Sequence, residues 1–458
     1  MSPSSSSSDA TPSGGLFGGV LRRGGAPTAV SSAAWLRALL DVEGALALAQ
    51  AEVGLLTPAE AEAVAAACAD PATYDESALG AAAAGAGNPV VPLVRAIEAR
   101  VGEPLGSAVH RGATSQDVLD TGAVLVARRA LVEVLDDLRA AADAAAGLAD
   151  RHRASATVGR TLLQHAAAST FGLTAAGWWH GLDGAAARLA LVDAGLPVQL
   201  GGAVGTLDGM GGRGPEVRAA LARRLGLADA PLAWHTVRLP IADLAGALAT
   251  AAGIIGKVAL DVVLLAQTEV AEVREGVPGR GGSSAMPHKH NPVSAIAARA
   301  AALRAPGLAS TLFSSMAQEH QRAAGAWHAE WETLSDLLSC TGTAAAWLRD
   351  CLASLQIDAA RMAATLASSP AVGSDRVAAA LAAPLGRSAA HDAVARVVAA
   401  RGGMSLLDAL AADPEVSAHL QRARLSALLD DAEARAGTAE LVDRALRLRR
   451  PGMAGGSA

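Results

Sequence analysis

The chain has 458 residues, 51% of them apolar but only 2% aromatic, and its formal net charge is −6. Mixed charges without a basic stripe argue against nucleic-acid binding and against a polybasic membrane anchor. Three scattered cysteines exclude a disulfide framework and a cysteine zinc site, so we expect a cytoplasmic protein.

The N-terminal quarter of the chain predicts a tail followed by a small helical domain. Residues 1–30 are rich in serine and lack the basic and apolar segments of a secretory signal, which predicts a disordered tail. Residues 31–112 form the predicted N-terminal helical domain, because apolar side chains recur at helical spacing between Ala33 and Val53 and Pro58 opens a second helix.

The middle of the chain predicts a long helical bundle, and the abundance of alanine and leucine predicts an all-α fold. The bundle spans 113–365, and a C-terminal helical domain spans 366–458. The long helices of the central bundle are predicted at 117–152, 165–193, 238–273, 292–318 and 320–352. Helices of this length favour burial of apolar faces against other subunits.

The stretch from Leu244 to Val263 is apolar but carries Lys257 and Asp261, which predicts a buried bundle helix and not a membrane span. We therefore expect no membrane partner.

The segment Gly279 to Pro292 carries the strongest chemical signal. Its glycines allow close approach to a ligand, and prolines at 287 and 292 prevent a regular helix. Lys289, one of only two lysines in the chain, and Asn291 place a cation and an amide near two serine hydroxyls. This combination suits the binding of a carboxylate and of its electron-rich intermediate.

The string Gly-Ser-Ser-x-Met-Pro-x-Lys-x-Asn-Pro at 282–292 resembles the signature loop of the fumarase/aspartase superfamily. The resemblance implies an all-α fold with a long central bundle and a homotetramer whose active sites are shared between subunits. It implies that Ser283 handles a proton on the carbon beside a carboxylate, and that Lys289 and Asn291 hold that carboxylate. Ser284 and Met286 complete the implied loop contacts.

Two further segments are similar to the remaining active-site regions of the superfamily and occur in the same order. The substrate-binding residues that they imply are His110, Arg111, Thr114 and Ser115 from the first, and Arg160, Thr161 and Gln164 from the second. The alternative is that Thr114 and Ser115 only cap a helix and that Arg160 is a surface charge.

The second segment departs from the adenylosuccinate lyases, which usually carry a histidine after the Arg-Thr pair. Leu162 stands at that position, so the general acid is missing there. His165 follows three residues later, either as a packed histidine or as a substrate contact. The departure favours a reaction whose entering or leaving group is a carboxylate and needs no proton.

The string Gln318 to Trp331 resembles a segment of the bacterial 3-carboxy-cis,cis-muconate cycloisomerases. That likeness implies cycloisomerisation of a small tricarboxylate in protocatechuate degradation (the β-ketoadipate pathway), with Arg322 as a third catalytic residue beside Ser283 and Lys289. The alternative for Arg322 is a surface ion pair with Glu319. A different lyase of the same fold, of the adenylosuccinate or argininosuccinate type, and a non-catalytic structural protein on this scaffold are the rival functions. We expect no metal and no nucleotide cofactor.

Overall fold

The computed structural model describes residues 15–277, 279–282 and 285–448, with the backbone alone at 433 and 434. The chain divides into two compact units. The first contains the described residues up to Ala140, then Leu182–Leu260 and Val293–Asp350; the second contains Ala141–Gly181, Asp261–Pro292 and the chain from Cys351 onward. The domain limits expected from the sequence remain a prediction.

Helices dominate the described part of the chain. The first six are α1 Gly18–Leu21, α2 Ala26–Ala29, α3 Ser32–Glu52, α4 Pro58–Cys68, α5 Glu76–Ala86 and α6 Val90–Val101. The next seven are α7 Ser115–Arg151, α8 Phe171–Gly195, α9 Gly214–Leu225, α10 Leu239–Leu265, α11 Val293–Ala302, α12 Ala305–Ser314 and α13 Ala326–Ala353. The last seven are α14 Ala359–Ser368, α15 Ser374–Leu385, α16 Arg387–Ala400, α17 Leu406–Ala412, α18 Pro414–Ser417, α19 Arg422–Leu429 and α20 Ala432–Arg447.

Short 3₁₀ turns and two small antiparallel sheets complete the described fold. The turns are Gly15–Phe17, Pro71–Thr73, Leu105–Ala108 and Asp208–Met210. The first sheet pairs β1 Ala156–Thr161 with β2 Gln164–Thr170, and the second pairs β3 Val273–Glu275 with β4 Leu355–Ile357. The predicted all-α class is therefore confirmed, with strands confined to these two ribbons.

The structure differs from the predicted helices in two places that bear on function. Residues 165–170 form part of a strand, because β2 pairs with β1 along its length despite its alanine-rich sequence. The segment 315–325 is a loop between α12 and α13, and α13 begins at Ala326. The predicted helices over 165–193, 292–318 and 320–352 were wrong there.

Residues 15–30 also differ from the expected disordered tail. They form a 3₁₀ turn and two short helices, tied to α13 because Trp347 Nε1 donates to the carbonyl of Val20 at 2.8 Å and Arg23 lies over the Trp347 ring at 4.4 Å. Arg23 also pairs with Asp350. These partners lie more than 300 residues away in sequence, so local composition gave no sign of them.

Apolar clusters hold each unit together. In the first unit, α3, α4, α6 and α7 pack around Leu39, Leu40, Val64, Leu93 and Val118. In the second unit, α15, α16, α17 and α19 enclose Val377, Leu381, Leu410 and Leu425. Burial of such side chains stabilises a fold by about 1.5–3 kcal/mol each, which fixes the helices from which the functional loops extend.

Helix α10 is the one helix in the described part of the chain that is long and apolar enough to cross a membrane. Only 39% of its most apolar window is buried, so this helix is less buried than the bundle helix that the sequence predicted. Asp261 in this helix accepts a hydrogen bond from Trp178 Nε1 at 2.7 Å, so its carboxylate has a partner within the second unit.

Candidate active site

The start of α7 is held by one buried carboxylate, that of Asp117. Its oxygens accept hydrogen bonds from the backbone N–H groups of Thr114, Gly201 and Gly202, each at 2.9 Å. His235 Nε2 makes a fourth contact at 2.7 Å. Asp117 thus satisfies the backbone N–H at the start of α7, and it also joins Thr114 to the glycine loop at 201–202.

Arg322 reaches the same glycine loop from the segment before α13. One terminal nitrogen donates to the carbonyl of Gly202 at 2.6 Å and the other to the carbonyl of Gln321 at 2.7 Å. Burial lowers the pKa of Arg322, while attraction to Asp117 and Asp120 opposes that effect. The alternative ion pair with Glu319 does not form, because Glu319 accepts from the backbone N–H of Ala324 instead.

A buried ionic network underlies this loop. Arg238 donates to both oxygens of Asp120, at 2.8 and 3.0 Å, and also bonds Glu330, and each of the three side chains is at most 4% exposed. Trp327 Nε1 and Gln318 complete the ring of donors around the two carboxylates. Because a buried charge is costly unless it is paired, this network fixes the ends of α7, α10 and α13 in one arrangement.

His110 lies four residues before Thr114 and is oriented by α3. Its Nδ1 is 2.7 Å from Oε1 of Glu43, whose side chain is fully buried. Burial of the ring acts to lower the pKa of His110, but attraction to Glu43, with smaller contributions from Asp117 and Glu98, outweighs burial and raises it. Arg111 turns away to donate to the carbonyl of Leu55 at 3.0 Å.

The second predicted region forms the β1–β2 hairpin of the second unit. Both terminal nitrogens of Arg160 bond the carboxylate of Glu272, at 2.9 and 2.7 Å, and Glu272 is fully buried. Arg160 is therefore an anchoring cation and not a free surface charge. Thr161 and Gln164 face each other across the turn and are exposed.

The turn itself is made by Leu162 and Leu163, both with positive φ, +49° and +64°. Asn and Gly are the residues that suit such a two-residue turn, because a branched side chain is strained in the left-handed region. The leucine side chains are 97% and 72% exposed, so burial within the chain does not offset that strain. Strain of this kind is common at functional sites.

His165 follows on β2 and contacts Ser369 Oγ through Nδ1 at 2.7 Å. The same hydroxyl lies 2.8 Å from the carbonyl of Thr365. One hydroxyl proton serves one acceptor, so both contacts are satisfied when Ser369 donates to Thr365 and the ring donates from Nδ1.

The signature loop is closed at its base by a pair of backbone and side-chain contacts. The N–H of Asn291 donates to the carbonyl of Gly281 at 2.8 Å, and its side-chain amide lies 3.3 Å from the same oxygen. Gly282 and His290 form an antiparallel bridge beside it. Gly281 has φ +83°, and a Cβ there would lie 2.3 Å from the carbonyl oxygen of Asn291, so only glycine fits.

Lys289 and Met286 lie on the exposed part of this loop. Ser283 and Ser284, the predicted proton carrier and its neighbour, lie outside the described residues. No group of three or more His, Cys, Asp or Glu side chains with metal-ligand geometry occurs in the described ranges.

The structure gathers the predicted site residues in three places. In the first unit, Asp117 and Gly202 link Thr114 and Ser115 with Arg322. In the second unit, Arg160, Thr161 and Gln164 share a hairpin, and Met286, Lys289 and Asn291 share a loop. Sequence reasoning missed Glu43, His235, Arg238 and Glu272, whose only signal was that they are polar residues within apolar stretches.

A mainly helical chain with a glycine-closed lysine loop and a hydrogen-bonded Thr-Ser helix start defines an enzyme of the lyase class. Residues 28–307 match the lyase family. The chain belongs to this family, which confirms the resemblance to the fumarase/aspartase superfamily.

Individual relatives cover nearly the whole chain. It is 45% identical to the nitrosuccinate lyase of Streptomyces davaonensis, over 93% of each chain. It is 43% identical to the 3-carboxy-cis,cis-muconate cycloisomerase of Bradyrhizobium diazoefficiens, over 90% of this chain and 93% of the relative. The crystal structure of the 3-carboxy-cis,cis-muconate lactonizing enzyme of Pseudomonas putida has a TM-score of 0.84 and 38% identity, covering 94% of this chain and 99% of that one.

Proposed function

We propose that this protein is a cycloisomerase that interconverts 3-carboxy-cis,cis-muconate and its carboxymuconolactone in protocatechuate degradation. The observation that carries the proposal is the intact lysine loop at 282–292, in a chain 43% identical over 90% of its length to a cycloisomerase of that name. Arg322 supports it, because its guanidinium bonds only carbonyl oxygens among the described residues and keeps its charge for a ligand.

The proposed chemistry needs one proton at carbon and none at oxygen. A carboxylate oxygen of the substrate adds to a conjugated double bond, and the displaced electron pair moves to the carbon beside another carboxylate. Ser283 then delivers a proton to that carbon, while Lys289 and Asn291 stabilise the charge on the carboxylate oxygens. The reverse reaction returns the proton to Ser283 and expels the ring oxygen as a carboxylate.

The remaining predicted residues bind the substrate in this proposal. Thr114 and Ser115 donate to a carboxylate from the start of α7, and Thr161 and Gln164 do so from the hairpin. Arg160 is better assigned to positioning the hairpin, because Glu272 occupies both of its terminal nitrogens.

We infer a homotetramer in the cytoplasm with active sites shared between subunits. The low burial of the apolar helix α10 and the exposed leucines at 162 and 163 support assembly, because exposed apolar surface of this kind is typical of subunit interfaces. Sedimentation analysis of the purified protein measures the subunit number directly.

Nitrosuccinate elimination is the second candidate, favoured by the 45% identity to the lyase of that name. Nitrite, like a carboxylate, is a stable anion that departs without a proton. Leu162, at the place of a proton-donating histidine, therefore fits both reactions. The two substrates differ in charge, since 3-carboxy-cis,cis-muconate carries three carboxylates and nitrosuccinate carries two.

Parallel assays separate the candidates. The proposal predicts loss of the ultraviolet absorbance of the conjugated diene when the protein meets 3-carboxy-cis,cis-muconate, and little release of nitrite from nitrosuccinate. Propane-1,2,3-tricarboxylate should inhibit more strongly than succinate, because the site binds three carboxylates. Nitrite release without diene loss would reverse the assignment.

Two loop variants test the chemistry. Ser283→Ala and Lys289→Met should each reduce kcat by at least about 100-fold, in the range found when one key stabilising group is removed. The oligomer should survive, as measured by light scattering. Wild-type turnover in Ser283→Ala would remove this serine from the proposed role.

A further inference from the structure

Glu43, which is fully buried, and His110, which is 17% exposed, form a pair that the proposed mechanism does not use. Glu43 lies on the buried face of α3, among Leu39, Leu40 and Val42, with its side chain fully enclosed. Its Oε1 contacts His110 Nδ1, whereas Oε2 has no hydrogen-bond partner among the described residues. A carboxylate in such surroundings is costly unless a cation compensates it, and His110 is the group placed to do so.

The backbone at His110 is adapted to this contact. His110 has φ +56°, a conformation that costs a non-glycine residue on the order of 1–3 kcal/mol. Gly112, two residues on, also has positive φ, and a Cβ there would lie 3.0 Å from the carbonyl of Gly209. The tight turn therefore aims the imidazole at α3 while the chain continues to Thr114 and Ser115.

The second ring nitrogen of His110 is available to a ligand. The side chain is 17% exposed, and Nε2 has no hydrogen-bond partner in the part of the chain that the structure describes. In the charged ring both nitrogens carry protons, so Nε2–H is a charge-assisted donor for a carboxylate. Three carboxylates face this imidazole, those of Glu43 on α3, Asp117 on α7 and Glu98 on α6, and all favour the charged ring.

We propose that Glu43 is a positioning residue that holds His110 as a charged donor, with Nε2–H presented to a carboxylate of the anionic substrate. The inference rests on the proposed function only in taking the ligand to be a di- or tricarboxylate. Because Glu43 lies on the far side of the ring, the ligand meets the positive end of the pair. Carboxylates orient catalytic and metal-binding histidines in the same way; here the oriented histidine binds the substrate.

The test compares Glu43→Gln with wild type. Glutamine keeps a carbonyl oxygen for Nδ1–H but removes the charge that keeps the ring protonated. We expect KM to rise about 10-fold near neutral pH while kcat changes less than about threefold, the pattern of lost ground-state binding. The rise should grow between about pH 6 and 7.5, where an unassisted histidine loses its proton.

Three variants serve as controls. Glu62→Gln makes the same chemical change at an exposed position on α4, at a carboxylate that is not one of the three facing His110, and should leave KM within about twofold of wild type. His110→Gln should raise KM at every pH without the pH dependence. The double variant Glu43→Gln with His110→Gln should bind no worse than His110→Gln alone, because Glu43 acts through the ring.

Calorimetric binding of propane-1,2,3-tricarboxylate separates this inference from the proposed function. Weaker, pH-dependent binding by Glu43→Gln supports the inference even if the wild type does not turn over the muconate. An unchanged KM and unchanged binding in a folded Glu43→Gln overturn it while the function stands. If Glu43→Gln does not fold, His110→Gln decides: wild-type KM in that variant overturns the inference.

Discussion

Replacement of Asp117 by asparagine tests whether one carboxylate organises the first part of the site. The carboxylate receives four hydrogen bonds, from the backbone of Thr114, Gly201 and Gly202 and from His235. In place of the two carboxylate oxygens, asparagine has one acceptor oxygen and one NH₂ group. The amide nitrogen will take the place of Oδ1, which faces His235 and the N–H of Gly201. His235 can change tautomer and accept from the amide. Both partners of Oδ2 are backbone N–H groups, which cannot accept.

The magnitude follows from the bonds that remain. In this orientation Gly201 N–H loses its acceptor, which costs about 1–3 kcal/mol for a buried donor. The bonds from Thr114 and Gly202 change from charge-assisted to neutral, which costs about 1 kcal/mol each. The free energy of unfolding should therefore fall by about 3–5 kcal/mol, a large share of the stability of an ordinary domain.

Urea unfolding at a fixed protein concentration and hydrogen exchange of the peptide that contains 201–202 measure this change. Local exchange at Gly201 should rise about 100-fold, and kcat/KM should fall because Gly202 also holds Arg322. Asp136→Asn is the control on the same helix, since its side chain is 71% exposed and the change should cost under about 0.5 kcal/mol. If the free energy of unfolding of Asp117→Asn falls by less than about 1 kcal/mol, this carboxylate is not the organising group.

Three further variants test other parts of the site. Gly281→Ala places a Cβ 2.3 Å from a backbone oxygen and should cut kcat/KM at least about 10-fold with little change in Tm, while Gly279→Ala, with positive φ but open space, should cost much less activity. Arg160→Lys should lower Tm by several degrees, because lysine cannot make the paired contact with the buried carboxylate of Glu272. Circular dichroism measures the Tm, and an unchanged value would contradict the anchoring role. Leu162→Asn combined with Leu163→Gly should raise Tm by relieving about 1 kcal/mol per residue and yet reduce turnover; full activity would remove both leucines from the site.

The parts of the site that the sequence predicted are those encoded by contiguous residues. The lysine loop was readable because its glycines, prolines, lysine and asparagine lie within 14 residues, from Gly279 to Pro292. The start of α7 was readable for the same reason. The family's own pattern supplied the meaning of both; the family match confirms the family, and the roles of these residues remain predictions.

The missed parts depend on contacts between distant segments. The role of Asp117 in joining loops was hidden because Gly201 and His235 are 84 and 118 residues away in sequence. The β2 strand looked helical because alanine, glutamine and histidine do not oppose a helix. Its pairing with β1 and the packing of α14 and α20 on the hairpin decided otherwise.

The positive charge that remains for a substrate is smaller than a count of arginines suggests. Glu272 neutralises Arg160, and Arg111 bonds a backbone carbonyl away from α7. Within the first unit, Arg322 and the positive end of the Glu43–His110 pair remain, and Lys289 remains on the exposed loop of the second unit. The cations left for an anionic substrate are therefore these three, and not the arginines at 111 and 160.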